Sequence, residues 1–259
     1  MKAGNKNSRR LIPLEELFRR YELSNGSEGK SSKTISWYND MHRLFLRYLK
    51  MKGFPEDMSS INIDIVREYI AYLQHKPRFQ GHPYTPQQTR FLSPRTLQCH
   101  ARVLKAFSSW LYQEGYTKEN RLKILKLPKA DKKIIEPITN QEKKQIISSI
   151  DMNSPTGKRN RAIIAMSIDT GLRASGLAGI DLAHLNLVDG FVKVMEKGSK
   201  ERIVPIGRKV RIILSAYIEN VRPKPTDPNN NALFLTSNGK PITVNALKLF
   251  FSRLAKKSG

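Results

Sequence analysis

The sharpest candidate chemistry lies in Asp169-Thr170-Gly171-Leu172-Arg173-Ala174-Ser175-Gly176-Leu177. A helix is expected to break at the Thr-Gly pair, with an arginine opening the turn that follows. Free N–H groups and the positive end of a helix dipole would point at whatever docks there. A guanidinium at that point can hold two phosphate oxygens in a bidentate fork. The same arrangement also serves as an ordinary surface ion-pair partner. The second candidate is Lys197, in the turn Glu196-Lys197-Gly198-Ser199-Lys200. A lysine there is commonly just solvated, but it can swing onto a substrate and donate a proton when its surroundings lower its pKa.

These two residues need elements to hold them. Asp189-Gly190 between Leu185/Leu187 and Phe191/Val192/Val194 is a hairpin signal. The turn bearing Lys197 then joins Phe191–Met195 to Arg202–Pro205, so the pattern predicts three antiparallel strands. Helices are expected at about 141–150, where Thr139 and Glu142 form a capping box, and at about 158–170. Val210, Ile213, Leu214, Tyr217 and Ile218 restore helical spacing. Leu233–Leu235 reads as a short strand and Val244–Leu254 as a last helix.

The first half reads as helical. A run from Ser31 to Lys52 closes at Gly53, and Ile63 to Gln74 repeats the pattern. Residues 76–92 hold three prolines and a glycine and read as a loop. Ser93 is an N-cap with Pro94 at the first helical position. Leu97, Ala101, Leu104, Phe107 and Leu111 then form an apolar stripe, with Arg95, Arg102 and Lys105 elsewhere on the cylinder. Residues 126–138, with two prolines and four lysines, read as a linker.

The 259 residues carry 46 Lys+Arg against 22 Asp+Glu, a formal charge of +24. Up to and including Lys129 there are 24 basic and 11 acidic residues, and after it 22 and 11. The excess is therefore spread over both halves rather than confined to a tail, as suits a partner with a phosphate backbone. A solvated basic surface, or a general basic nucleic-acid binder, has a similar charge. One cysteine, Cys99, excludes a disulfide-stapled scaffold. The five histidines (His42, His75, His82, His100, His184) show no metal-ligand spacing, so no metal is expected. No apolar run approaches the ~18 residues of a membrane span, and the start lacks the apolar segment of a secretory signal. The expectation is a cytoplasmic, nucleoid-associated protein with no membrane partner.

The order TGLRAS, then a meander with EKGSKERIVPIG, then a basic helix, resembles the tyrosine recombinase (phage integrase) family. SPRTLQCHARVLKAFSSWLYQEGY followed by NRLKILKLPK is similar to that family's helical core-binding domain and its exit into the linker. The resemblance runs from about Ile12 onward. It implies an all-α, SAM-like core-binding domain followed by a mixed α+β catalytic domain with a three-stranded antiparallel meander, here lacking its C-terminal end. The corresponding organisation is a basic tail at 1–11, a DNA-clamp domain at 12–125, the linker at 126–138 and a catalytic domain at 139–259.

The resemblance further implies site-specific cleavage and rejoining of double-stranded DNA through a 3′-phosphotyrosine, with no cofactor. Arg173 matches the arginine that stabilises charge on the scissile phosphate, and Lys197 the hairpin lysine that protonates the leaving oxygen. Gly198 would allow that turn a positive φ. Lys33, Arg43, Arg95, Arg102, Lys105, Arg159, Lys200 and Arg202 are the candidate DNA contacts. Self-association on DNA, a synaptic tetramer in the family, or pairing with a full-length recombinase is expected. Two departures stand out. Gly176 replaces the usual acidic residue after Arg-x-Ser. The His-x-x-Arg box and nucleophilic tyrosine of the family are absent from these residues, and His75-Lys76-Pro77-Arg78 precedes Arg173 and matches the string only literally. A chain so composed is expected to bind DNA without cleaving it. The alternative is a non-catalytic DNA-binding regulator or decayed integrase remnant.

Overall fold

The computed structural model describes residues 12–81, 83–131, 134–196 and 200–258. The basic tail at 1–11, together with Lys197 and Gly198, lies outside the described residues. The chain divides into two compact units, Met1–Ile134 and Ile135–Gly259.

Unit 1 is helical: α1 (Leu14–Ser27), α2 (Ser32–Lys52), α3 (Ile63–Gln74) and α4 (Pro94–Gln113). Local chemistry sets their ends. The Ser31 hydroxyl accepts from Thr34 N, and Gly53, at φ 73°, closes α2 in the left-handed region that glycine enters without a Cβ penalty. Asn62 caps α3 by accepting from Asp64 N and Ile65 N. Ser93 caps α4, with Pro94 in the first turn. The apolar stripes of the four helices meet in one aromatic-rich core that includes Phe45, Tyr48, Tyr69, Phe107 and Leu111. Within it His42 stacks on Phe18 at 4.0 Å, and neither ring nitrogen has a hydrogen-bond partner. Beyond α4 the chain is held down by side chains from that helix. Lys105 Nζ donates to the carbonyls of Lys123 and Leu125 at 3.0 and 2.7 Å, and Gln98 Nε2 to that of Pro128 at 3.2 Å.

Unit 2 contains α5 (Asn140–Ser148), α6 (Pro155–Thr170), the short α7 (Ala174–Ala178), β1 (Leu185–Asn186), β2 (Phe191–Glu196), β3 (Lys200–Pro205), α8 (Arg208–Asn220) and α9 (Val244–Ser258). The capping box opens α5: Thr139 N donates to Glu142 Oε2 at 2.7 Å, and Glu142 N to Thr139 Oγ1 at 3.2 Å. The strands form an antiparallel sheet in the order β1-β2-β3, with Val192 opposite Val204 and Val194 opposite Arg202. Val192, Val194 and Val204 are buried while Lys193 and Ile203 are exposed, as a half-buried sheet requires. Those valines pack with Ile163, Met166, Leu177, Leu214 and Leu247 from α6, α7, α8 and α9.

One expectation fails. Leu233–Leu235 is buried but builds no strand ladder. Leu233 N donates to Ile180 O at 2.8 Å, and Phe234 O accepts from Ile242 N at 3.0 Å. Each side of the segment thus meets a different partner, and only isolated bridges form, at Asp181–Ala232 and Leu235–Pro241. An apolar run of this length marks burial, but periodicity cannot distinguish a ladder from a threaded segment.

Candidate functional site

The site begins where α6 stops. Thr170 Oγ1 donates to Met166 O at 2.6 Å, Gly171 adopts φ 61°, and its N–H returns to Ser167 O at 3.0 Å. The left-handed glycine turns the chain so that Leu172 enters the core, 8% exposed, and Arg173 emerges exposed as the residue that opens α7. Arg173 O accepts from Leu177 N at 2.9 Å, which fixes its backbone at φ −64° and ψ 154°. At five residues, α7 is too short to carry much of a dipole, contrary to the expectation from the Thr-Gly break. The chemistry at this corner therefore rests on the guanidinium itself. Gly176 is buried inside α7, where a Cβ would sit 3.6 Å from Leu172 Cδ2, an ordinary contact.

Two long-range contacts brace this corner. α7 packs against β2, the strand that leads to position 197. Asp169, immediately before the break, accepts the N–H of Gly207 at 2.7 Å and so ties the end of α6 to the residue preceding α8. A Cβ at Gly207 would lie 2.9 Å from Asp169 Oδ1, so a side chain there would displace the carboxylate. Asp169 is a positioning contact that sequence reading missed. Its partner is 38 residues away, and an aspartate near a helix C-terminus gives no local signal of it.

Of the remaining sequence-predicted residues, Lys200 and Arg202 stand exposed on β3 of unit 2. Arg159 is different. It is half-buried and donates to Leu235 O at 3.0 Å and to Asn160 Oδ1, and burial lowers its pKa. In unit 1, Lys33, Arg43, Arg95 and Arg102 are exposed on α2 and α4. Arg43 pairs with Asp40, and Arg95 donates to Gln98 Oε1 at 2.6 Å. Lys105 is half-buried and directs its ammonium to the two main-chain carbonyls described above.

Tyr217 is the sole tyrosine after Arg173 in the sequence, and it is 2% exposed. Its hydroxyl accepts the Leu235 N–H at 3.3 Å, and burial raises its pKa. It is a structural residue rather than an accessible nucleophile.

A helical unit followed by helices around a three-stranded antiparallel meander is the architecture of known integrases. The λ integrase tetramer bound to a Holliday junction superposes with a TM-score of 0.72 at 17% identity, over 98% of this chain and 68% of that one. The Tn1549 transposon integrase in complex with transposon right end DNA gives 0.72 at 20% identity, over 95% and 78%. The phage integrase family model matches residues 136–259. Tyrosine recombinase XerD of Staphylococcus aureus is 33% identical over 235 residues, covering 90% of this chain and 74% of the relative. Tyrosine recombinase XerC of Bacillus pumilus is 28% identical over 232 residues, covering 88% and 71%. The chain belongs to the tyrosine recombinase (phage integrase) family.

Proposed function

We propose that this protein acts in site-specific DNA recombination, gripping double-stranded DNA with both units. Arg173 is the group that stabilises charge on the scissile phosphate, and Lys197 the proton donor to the leaving oxygen. The observation that carries this reading is the exposed Arg173 at a glycine-determined corner, on a helix packed against the strand that leads to Lys197. Lys33, Arg43, Arg95 and Arg102 on unit 1, with Lys200 and Arg202 on unit 2, contact phosphates. Lys105 and Arg159 each bond main-chain carbonyls within their own unit. The work is done on double-stranded DNA in the cytoplasm, by copies that associate on the duplex as the λ integrase tetramer does on its junction.

Burial of Tyr217 favours a second reading, in which these 259 residues bind DNA as a regulator without cutting it. A nicked suicide duplex separates the two. The 259-residue chain should shift the duplex in a gel and leave no covalent adduct after denaturation. An adduct would overturn the assignment of Tyr217 as structural. In a form carrying a nucleophilic tyrosine, Arg173→Ala should abolish cleavage and change duplex affinity by less than about threefold, or under 1 kcal/mol. Equal loss of binding and cleavage would remove Arg173 from the chemistry.

A further inference from the structure

We propose that unit 1 holds a binding site for a planar anion of the nucleotide type. The site is a cavity of about 470 Å³ between α2, α3, the start of α4 and the loop at 76–92. That volume lies within the usual range for small-molecule sites, roughly 300–1,000 Å³. Its wall is aromatic, formed by Tyr48, Tyr69, Tyr72 and Phe79. The Tyr48 ring lies 4.9 Å from Tyr69 and 5.2 Å from Tyr72, centre to centre. Tyr48 and Tyr69 are closed off by this packing, and the half-buried Tyr72 and Phe79 are the rings that can take a nucleobase, with little regard to which base it is.

The charge of the wall selects an anion. Arg47 and Lys76 both line the cavity, and none of the residues lining it is acidic. Neither cation has an ion-pair partner among the described residues. Lys76 Nζ sits 5.7 Å above the Tyr72 ring, where burial and the neighbouring Arg47 charge lower its pKa. Two like charges beside a desolvated aromatic wall are unfavourable until an anion joins them. By contrast, the groove between α1 and α2 has Glu15, Glu16 and Glu22 in its wall against Arg19 and Arg43, so its acidic groups outnumber its basic ones.

One further observation marks a site rather than a packing gap. Phe79 adopts φ 61°, an unfavourable conformation for a bulky residue. Bonds from Arg78 N to Arg90 O and from Gln88 N to Arg78 O, both 2.9 Å, hold the loop around it. Strain of this kind is retained where surrounding structure enforces it, often at ligand clamps.

A free mononucleotide and a base unstacked from bound duplex share this chemistry. The second source rests on the DNA-binding reading and the first does not. The full chain is titrated calorimetrically with dAMP, 2′-deoxyadenosine and 2-deoxyribose 5-phosphate. Binding of dAMP at one site is expected, with each half-molecule weaker by about tenfold or more. Lys76→Gln and Tyr72→Leu should each weaken dAMP by about tenfold while the thermal melt stays cooperative. A duplex carrying 2-aminopurine tests the other source. A fluorescence rise on binding that Lys76→Gln abolishes, without dAMP binding, assigns the site to an extruded base. Absence of both signals, or dAMP binding indifferent to both substitutions, overturns the proposal. If the chain fails to shift any duplex, the recombination reading fails while the dAMP titration still decides this one.

Discussion

His42 shows how a single buried side chain sets a response to acid. Burial among aromatic rings pulls its pKa from 6.5 down to about 3, and burial, with a smaller contribution from Lys76, pulls His100 down to about 4. The unfolded chain therefore takes up these protons first. The stability they contribute is complete above about pH 6.5 and is lost as the pH falls toward those lower values. Urea midpoints should drop between about pH 7 and about pH 4.5, and His42→Phe, which keeps the stack on Phe18, should flatten that drop. An unchanged pH profile in the variant would mean that other groups set the acid response. Asp169 offers a second test at this scale. Asp169→Ala removes the acceptor for Gly207 N and should destabilise the protein by about 1 kcal/mol, whereas Asp169→Asn keeps an oxygen there and should recover most of it. If both melt alike, the bond contributes nothing to stability.

Secondary elements were legible in proportion to how local their determinants are. Ser31, Ser93 and Thr139 each act on the N–H three residues ahead, so each helix start is written beside the helix it opens. Gly53 and Gly171 mark ends for the same reason. The Arg173 corner was therefore visible in advance. The ties that brace it were not, because Asp169 to Gly207 and Lys105 to Lys123 and Leu125 are tertiary bonds with no periodic trace. Leu233–Leu235 misled because β-rich composition registers burial, not pairing. The exposed face of α4 carries its own prediction. Replacing Arg95 and Arg102 together with alanine should weaken duplex binding and reduce the slope of log affinity against log salt by about 2. A parallel shift with unchanged slope would show that neither guanidinium displaces counterions.

At the scale of the whole molecule, a charge of +24 divided over two units with separate cores predicts strong dependence on ionic strength. With six exposed candidate cations on phosphates, affinity for random duplex should fall by roughly a thousandfold between 50 and 200 mM salt, as read by fluorescence anisotropy. A loss below about tenfold would mean that few of them reach the backbone.

Tyr217 has a practical consequence for anyone testing the chemistry. The usual control for a phosphotyrosine enzyme changes a tyrosine to phenylalanine and reads lost activity as a lost nucleophile. At this position the same change withdraws the acceptor from a buried main-chain amide, that of Leu235, within the unit that bears Arg173. A dead Tyr217→Phe protein would therefore report a damaged scaffold. Only a melting curve run alongside the assay would keep that artefact from being mistaken for mechanism.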